Sequence, residues 1–131
     1  MNIKYTTTQK LTADEFINIL ERSTLGERRP IDDEKCIQGM LEHADILALA
    51  IDDGHIVGVA RAVTDFHYAC YLSDLAVDVA YQKKGIGQKL IDVVREELEM
   101  GCKIILLSAP DAVTYYPKVG FTQHPSAWVL K

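Results

Sequence analysis

Apolar positions change their spacing several times along the chain, and each change predicts an element. Ile3 to Thr7 reads as a first strand. Thr12-Ala13-Asp14-Glu15 is a Thr-x-x-Glu capping box, and Phe16, Ile19 and Leu20 follow at helical spacing, so a helix runs from there to the Arg22–Gly26 region. Asp32 or Asp33 can cap a second helix with Cys36, Ile37, Met40 and Leu41 on one side. Ile46–Ile51 and Ile56–Val63 are β-rich runs flanking Asp53-Gly54, a hairpin signal, and Gly58 marks a bulge or a close approach within the second run. Tyr71 to Val77 alternates as a strand does. Leu90, Val94 and Leu98 then recur every four residues and give a helix one apolar stripe, with Gly101 as its C-terminal cap.

The remainder predicts a continuation of the sheet. Ile104-Ile105-Leu106-Leu107 reads as a strand buried on both faces and parallel to the Tyr71–Val77 strand across a right-handed helical crossover. Ser108 to Asp111 opens another helix carrying Ala112, Val113, Tyr115 and Tyr116, and Gly120 ends it. Phe121 begins a further strand, and Ser126 to Leu130 can supply a closing one. No repeat, low-complexity segment or linker interrupts the chain, so a single domain over residues 1–131 is expected.

The 131 residues are 48% apolar and 25% charged, ordinary for a soluble globular domain with a real core. The formal charge of −5 argues against broad nucleic-acid binding and against an anionic membrane surface. No apolar run reaches the roughly 18 residues of a spanning helix, and no signal-peptide core follows the first residues. Cys36, Cys70 and Cys102 are widely spaced without a Cys-x-x-Cys pair, which fits reduced thiols in a cytoplasmic protein and offers no metal site.

Chemistry concentrates at Gln82-Lys83-Lys84-Gly85-Ile86-Gly87, where a strand turns into a helix. A helix N-terminus presents unpaired N–H groups and a partial positive charge, and glycines admit a ligand close to the backbone, so this turn predicts an anion site suited to phosphates. Lys83, Lys84 and Lys89 can add charge. The four-residue gap and trailing Lys-Ser/Thr of a P-loop are absent, and Leu90 stands where a dinucleotide fingerprint needs its third glycine. Two glycines opening an ordinary solvated helix remain the plain alternative.

Two features occur together: Leu75-Ala76-Val77 followed by Gln82-Lys83-Lys84-Gly85-Ile86-Gly87 before an amphipathic helix, and Tyr116-Pro117-Lys118-Val119-Gly120-Phe121 farther on. In this pairing the chain resembles the GCN5-related N-acetyltransferase (GNAT) family, with its Gln/Arg-x-x-Gly-x-Gly/Ala signature and its Tyr-x-x-x-Gly-Phe element. The resemblance implies an α/β (α+β) fold: a mixed, mostly antiparallel sheet of six to seven strands, flanked by about four helices and splayed between strands four and five. It implies acetyl-CoA as acyl donor, with no metal, and transfer to a primary amine of a small molecule or peptide by direct attack through a tetrahedral intermediate.

The resemblance also assigns residues. Amides of Lys84, Gly85, Ile86, Gly87 and Gln88, within the motif that begins at Gln82 and Lys83, would hold the pyrophosphate. A bulged strand at Leu75, Ala76 and Val77 would offer backbone groups to the pantetheine, and Ser108 stands where the family usually has an Asn. An N–H from that strand could stabilise charge on the carbonyl oxygen, and Tyr116 matches the general acid that protonates the leaving thiolate; Tyr115 is its neighbour. The family's Glu base aligns with Tyr71. Asp74 is the nearest carboxylate, either a base or a solvated or hydrogen-bonded strand residue, and strand alternation sets it on the opposite face from Tyr71 and Ser73; Asp65 and His67 are further options. A non-catalytic acyl-CoA-binding regulatory module and a plain nucleotide-binding domain remain alternatives. Homodimerisation through the C-terminal strands or helix faces is compatible with the sequence but marked by no pattern.

Overall fold

The computed structural model describes all residues from Met1 to Lys131. Its centre is a five-stranded sheet in the order β1 (Ile3–Thr6), β2 (Ile46–Asp52), β3 (His55–Thr64), β4 (Ala69–Val77), β5 (Lys103–Ile105). Neighbours are antiparallel except β4 and β5, which run parallel because a helix crosses between them. The β2–β3 turn is Asp53-Gly54, with φ of +48° and +84°, the left-handed pair a tight hairpin needs.

Helices cover both faces. α1 (Ala13–Arg22) starts at the expected capping box: Thr12 Oγ1 accepts from Glu15 N–H and Glu15 Oε1 accepts from Thr12 N–H. α2 (Glu34–Glu42) is capped by Asp33. Both pack on one face, where Phe16, Ile19, Leu20 and Ile37 are buried against Leu49, Val59 and Ala76. α3 (Ile86–Glu96) lies on the other, with Ile86, Leu90, Ile91 and Val94 against Ala48, Ala60, Ala62, Cys70 and Leu72. Gly58 faces α3: a Cβ there would stand 3.0 Å from Leu90 Cδ1, so the glycine is what lets the helix sit this close.

Three expectations are corrected. Six to seven strands become five, because residues from Phe121 onward form none. Beyond Phe121 the chain makes no backbone–backbone hydrogen bond, and Trp128 is 93% and Leu130 100% exposed. β5 has only three residues and is not buried on both faces; Ile105 and Leu107 are each 50% exposed. So short an edge gives the C-terminal run no ladder to join. The fourth helix is two 3-10 turns, Pro110–Ala112 and Tyr116–Val119, with prolines in the first turn of each.

Candidate active site

The candidate site lies along β4, between the end of β5 and the head of α3. β5 pairs only with Ala69, Cys70 and Tyr71, so the outer edge of β4 from Leu72 to Val77 has no strand beside it. A sheet with such a gap leaves backbone groups for something else to satisfy.

A β-bulge shapes that edge. Arg61 pairs with Asp74 and Ala62 with Leu72, so Ser73 is an extra residue in β4 with no partner on β3. The bulge therefore falls just before Leu75–Val77 rather than within it. One inserted residue exchanges the two faces of the strand downstream. Cys70 and Leu72 face α3, whereas Ala76 joins the α1–α2 core. Asp74 is thereby turned to the α1–α2 face, the side that Tyr71 occupies upstream, which overturns the alternation expected from the sequence.

That turn decides what Asp74 can do. It is 1% exposed, with Oδ1 accepting from Arg29 Nε and Oδ2 from Arg61 Nε, each at 2.5 Å. Arg29 Nη2 also donates to the Ser73 carbonyl at 2.7 Å, and Arg61 Nη2 to the Ser73 hydroxyl at 2.8 Å. A carboxylate with a guanidinium on each oxygen is a structural counter-ion, not a base waiting for an amine proton. Asp65 and His67 lie in the β3–β4 turn, at the opposite end of β4 from the head of α3, where Asp65 Oδ1 accepts the N–H groups of His67, Tyr68 and Ala69.

The glycine turn matches its expected geometry. Gly85 caps α3 at φ +82° and Lys83 is left-handed at +64°. The first α3 amide with an intrahelical partner is Lys89, which donates to Gly85 O. The five N–H groups of Lys84 to Gln88 donate to no acceptor in the protein. Successive free donors at a helix head, beside two lysines, form an anion cradle. Gln82 contributes differently: its Nε2 donates to the Val77 carbonyl, the last of β4.

Across the gap stand the 3-10 turns. Ser108 is half-buried and its hydroxyl has no hydrogen-bond partner. Tyr115 and Tyr116 stack edge-on at 5.2 Å, and Tyr116 stacks on Phe121 at 5.4 Å. A Cβ added to Gly87 would lie 2.6 Å from Tyr115 Oη, so Tyr115 rests on the first turn of α3. Burial pushes the Tyr116 phenol above its ordinary range and Tyr115 adds to this, while the Arg29 guanidinium opposes it. Arg29 lies in the polar Gly26–Pro30 loop, which the sequence leaves open as a solvent-exposed connection or a substrate-side loop; no local pattern announces its nearness to Tyr116.

The model of the acetyltransferase (GNAT) domain matches residues 43–123, which hold β2 to β5, α3 and the Tyr116 turn. The chain belongs to the GNAT acetyltransferase family. Among curated relatives, a protein of Pyropia yezoensis named uncharacterized N-acetyltransferase ycf52 is 26% identical over 88% of this chain and 71% of its own length. The chloroplastic GCN5-related N-acetyltransferase 1 of Arabidopsis thaliana is 27% identical over 91% of this chain and 60% of its own. The chain thus spans about three fifths to seven tenths of these relatives. Among solved structures, a GNAT family acetyltransferase from Streptococcus pneumoniae superposes with a TM-score of 0.74 at 23% identity, over 99% of this chain and 98% of that one. A soil-metagenome aminoglycoside acetyltransferase in complex with sisomicin gives 0.72 at 20%, over 98% and 94%. At these identities the structures establish the GNAT fold. No helix is long and apolar enough to cross a membrane.

Proposed function

We propose that residues 1–131 form one N-acetyltransferase domain that moves an acetyl group from acetyl-CoA to a primary amine of a small molecule or peptide. One observation carries the reading: five free amides at the head of α3 follow the unpartnered edge of β4 after one short 3-10 turn, Val79–Tyr81. The amides of Lys84, Gly85, Ile86, Gly87 and Gln88 would hold the diphosphate, with Lys83 and Lys84 adding charge. Backbone groups of Leu75, Ala76 and Val77 would meet the pantetheine amides, with the Ser108 hydroxyl free to donate from the other wall. Bound there, acetyl-CoA supplies the acyl group as an activated thioester.

The chain's own groups then divide the work. A β4 amide near Leu75 is placed to donate to the carbonyl oxygen as charge builds there. Tyr116, whose phenol stays protonated well past neutrality, donates to the departing sulfur. A buried phenol is a weaker acid than a free one, but the same burial makes the sulfur a stronger base. With Asp74 committed to two arginines, no side chain is assigned as base, and the amine loses its proton to water. The Arg29–Asp74–Arg61 cluster carries one excess positive charge, which favours an acceptor arriving neutral. Three free cysteines suit a reducing compartment such as the cytoplasm.

The test is calorimetric titration with CoA, then thiol release from acetyl-CoA across an amine panel, on wild type and Tyr116→Phe. The expected result is CoA binding by both proteins, with turnover at least about tenfold lower in the variant. Binding of CoA without turnover on any amine supports a non-catalytic acyl-CoA-binding module instead.

A further inference from the structure

We propose that Arg29 is a positioning residue for acyl transfer: it pins the bulge at Ser73 and so holds the outer edge of β4 in its open form. The proposal rests on the acetyl-CoA reading above. A bulge leaves one residue outside the ladder, and its buried polar groups need another partner. At Ser73 that partner is a pair of guanidiniums. Arg29 takes the carbonyl, Arg61 takes the hydroxyl, and the next carboxylate, Asp74, bridges both. Arg61 belongs to β3, so it would accompany β4 in any register. Arg29 arrives from outside the sheet, at the end of a 3-10 turn (Leu25–Arg28) between α1 and α2, 44 residues earlier in the chain.

All three Arg29 nitrogens are committed: Nε to Asp74, Nη2 to Ser73 O and Nη1 to Arg28 O at 2.8 Å. The last bond stiffens the turn that presents the side chain. The Arg29 bonds to Ser73 and Asp74 are the only hydrogen bonds from residues 25–29 to β4. Remove the fork and the Ser73 carbonyl and one Asp74 oxygen lose their partners. Slipping β4 by one residue would restore the ladder, but it would send Asp74 and Ala76 toward α3 and carry Leu75 and Val77 away from it. The edge that would seat the pantetheine would no longer present the same backbone groups. A residue that need not touch the cofactor thus governs its site, and it couples that site to the loop on the opposite face of the sheet.

The test uses Arg29→Lys and Arg29→Met in the full chain. Lysine keeps the charge and most of the stem but offers one nitrogen where three are used, and it guards against the methionine variant failing to fold. Measured are folding by circular dichroism and urea titration, CoA affinity by calorimetry, and kcat and KM with an amine from the panel. The expected result for folded Arg29→Lys is CoA binding about tenfold weaker and kcat down about a hundredfold, the scale of a misplacement near 1 Å, with the KM for the amine little changed. A stability role alone would lower the urea midpoint and leave kcat and CoA affinity of the folded protein unchanged; that result overturns the proposal. Wild type that binds no CoA overturns the cofactor reading and this proposal together. Wild-type binding with an unaffected lysine variant overturns this proposal alone.

Discussion

The contact between Tyr115 and α3 can be measured by a double-mutant cycle. A methyl group on Gly87 would sit 2.6 Å from Tyr115 Oη, 3.5 Å from Cζ and 3.9 Å from Val77 Cγ2. Carbon and oxygen in close but ordinary contact stand about 3.3 Å apart, so in Gly87→Ala the tyrosine must retreat by roughly 0.7 Å or leave its rotamer. Overpacking of this kind costs about 1–3 kcal/mol. Alanine gives back up to about 1 kcal/mol of helix propensity, so Gly87→Ala alone should lose about 0–3 kcal/mol. Tyr115→Phe deletes the offending oxygen and leaves Cζ, at an ordinary distance, as the nearest atom. On that background the alanine should be neutral or stabilising. The two substitutions should therefore couple by about 1–3 kcal/mol, read from urea denaturation of the four proteins. Additivity within about 0.5 kcal/mol would refute the placement of Tyr115 on the helix.

Further expectations follow from single groups. Asp65 holds three N–H groups and its carboxyl lies below its ordinary value of 3.8. Its contribution is present above that value and lost as pH falls through the depressed one, so Asp65→Asn should flatten the fall of thermal midpoint in acid; an unchanged acid limb would count against it. Phe16 is fully buried between α1 and the sheet, and Phe16→Ala should cost about 3–5 kcal/mol in urea denaturation, with less than 2 arguing that the core collapses onto the gap. Tyr116 is raised from 10.0, so the alkaline loss of kcat should begin above that pH in wild type; onset near neutrality would assign the limb to another group.

The glycine turn was legible because its signal is local: strand, turn and helix are consecutive, and the free amides follow from where the helix starts. The capping box and the Asp53-Gly54 hairpin were legible for the same reason. The bulge was not. Buried positions in β4 alternate without a break across Ser73, so the pattern looks like an uninterrupted strand while its two halves face different layers. Hence alternation sets Asp74 on the wrong face, while its two arginines fit the reading of a hydrogen-bonded strand residue rather than that of a free base. Arg29 carried no sequence signal, since nothing local says where a loop guanidinium lands 44 residues away. Ser126 to Leu130 has strand propensity, but propensity needs an edge to pair with, and β5 ends at Ile105.

Because the inserted serine exchanges sides partway along one strand, β4 offers engineers two separable handles. Upstream, Tyr71 and its cross-strand neighbour Val63 are 41% and 46% exposed on the α1–α2 side of the sheet. Downstream, Leu75 and Val77 pack toward α3. Libraries that vary Val63 and Tyr71 can therefore alter the α1–α2 side of the sheet while the downstream half of the strand keeps its native contacts.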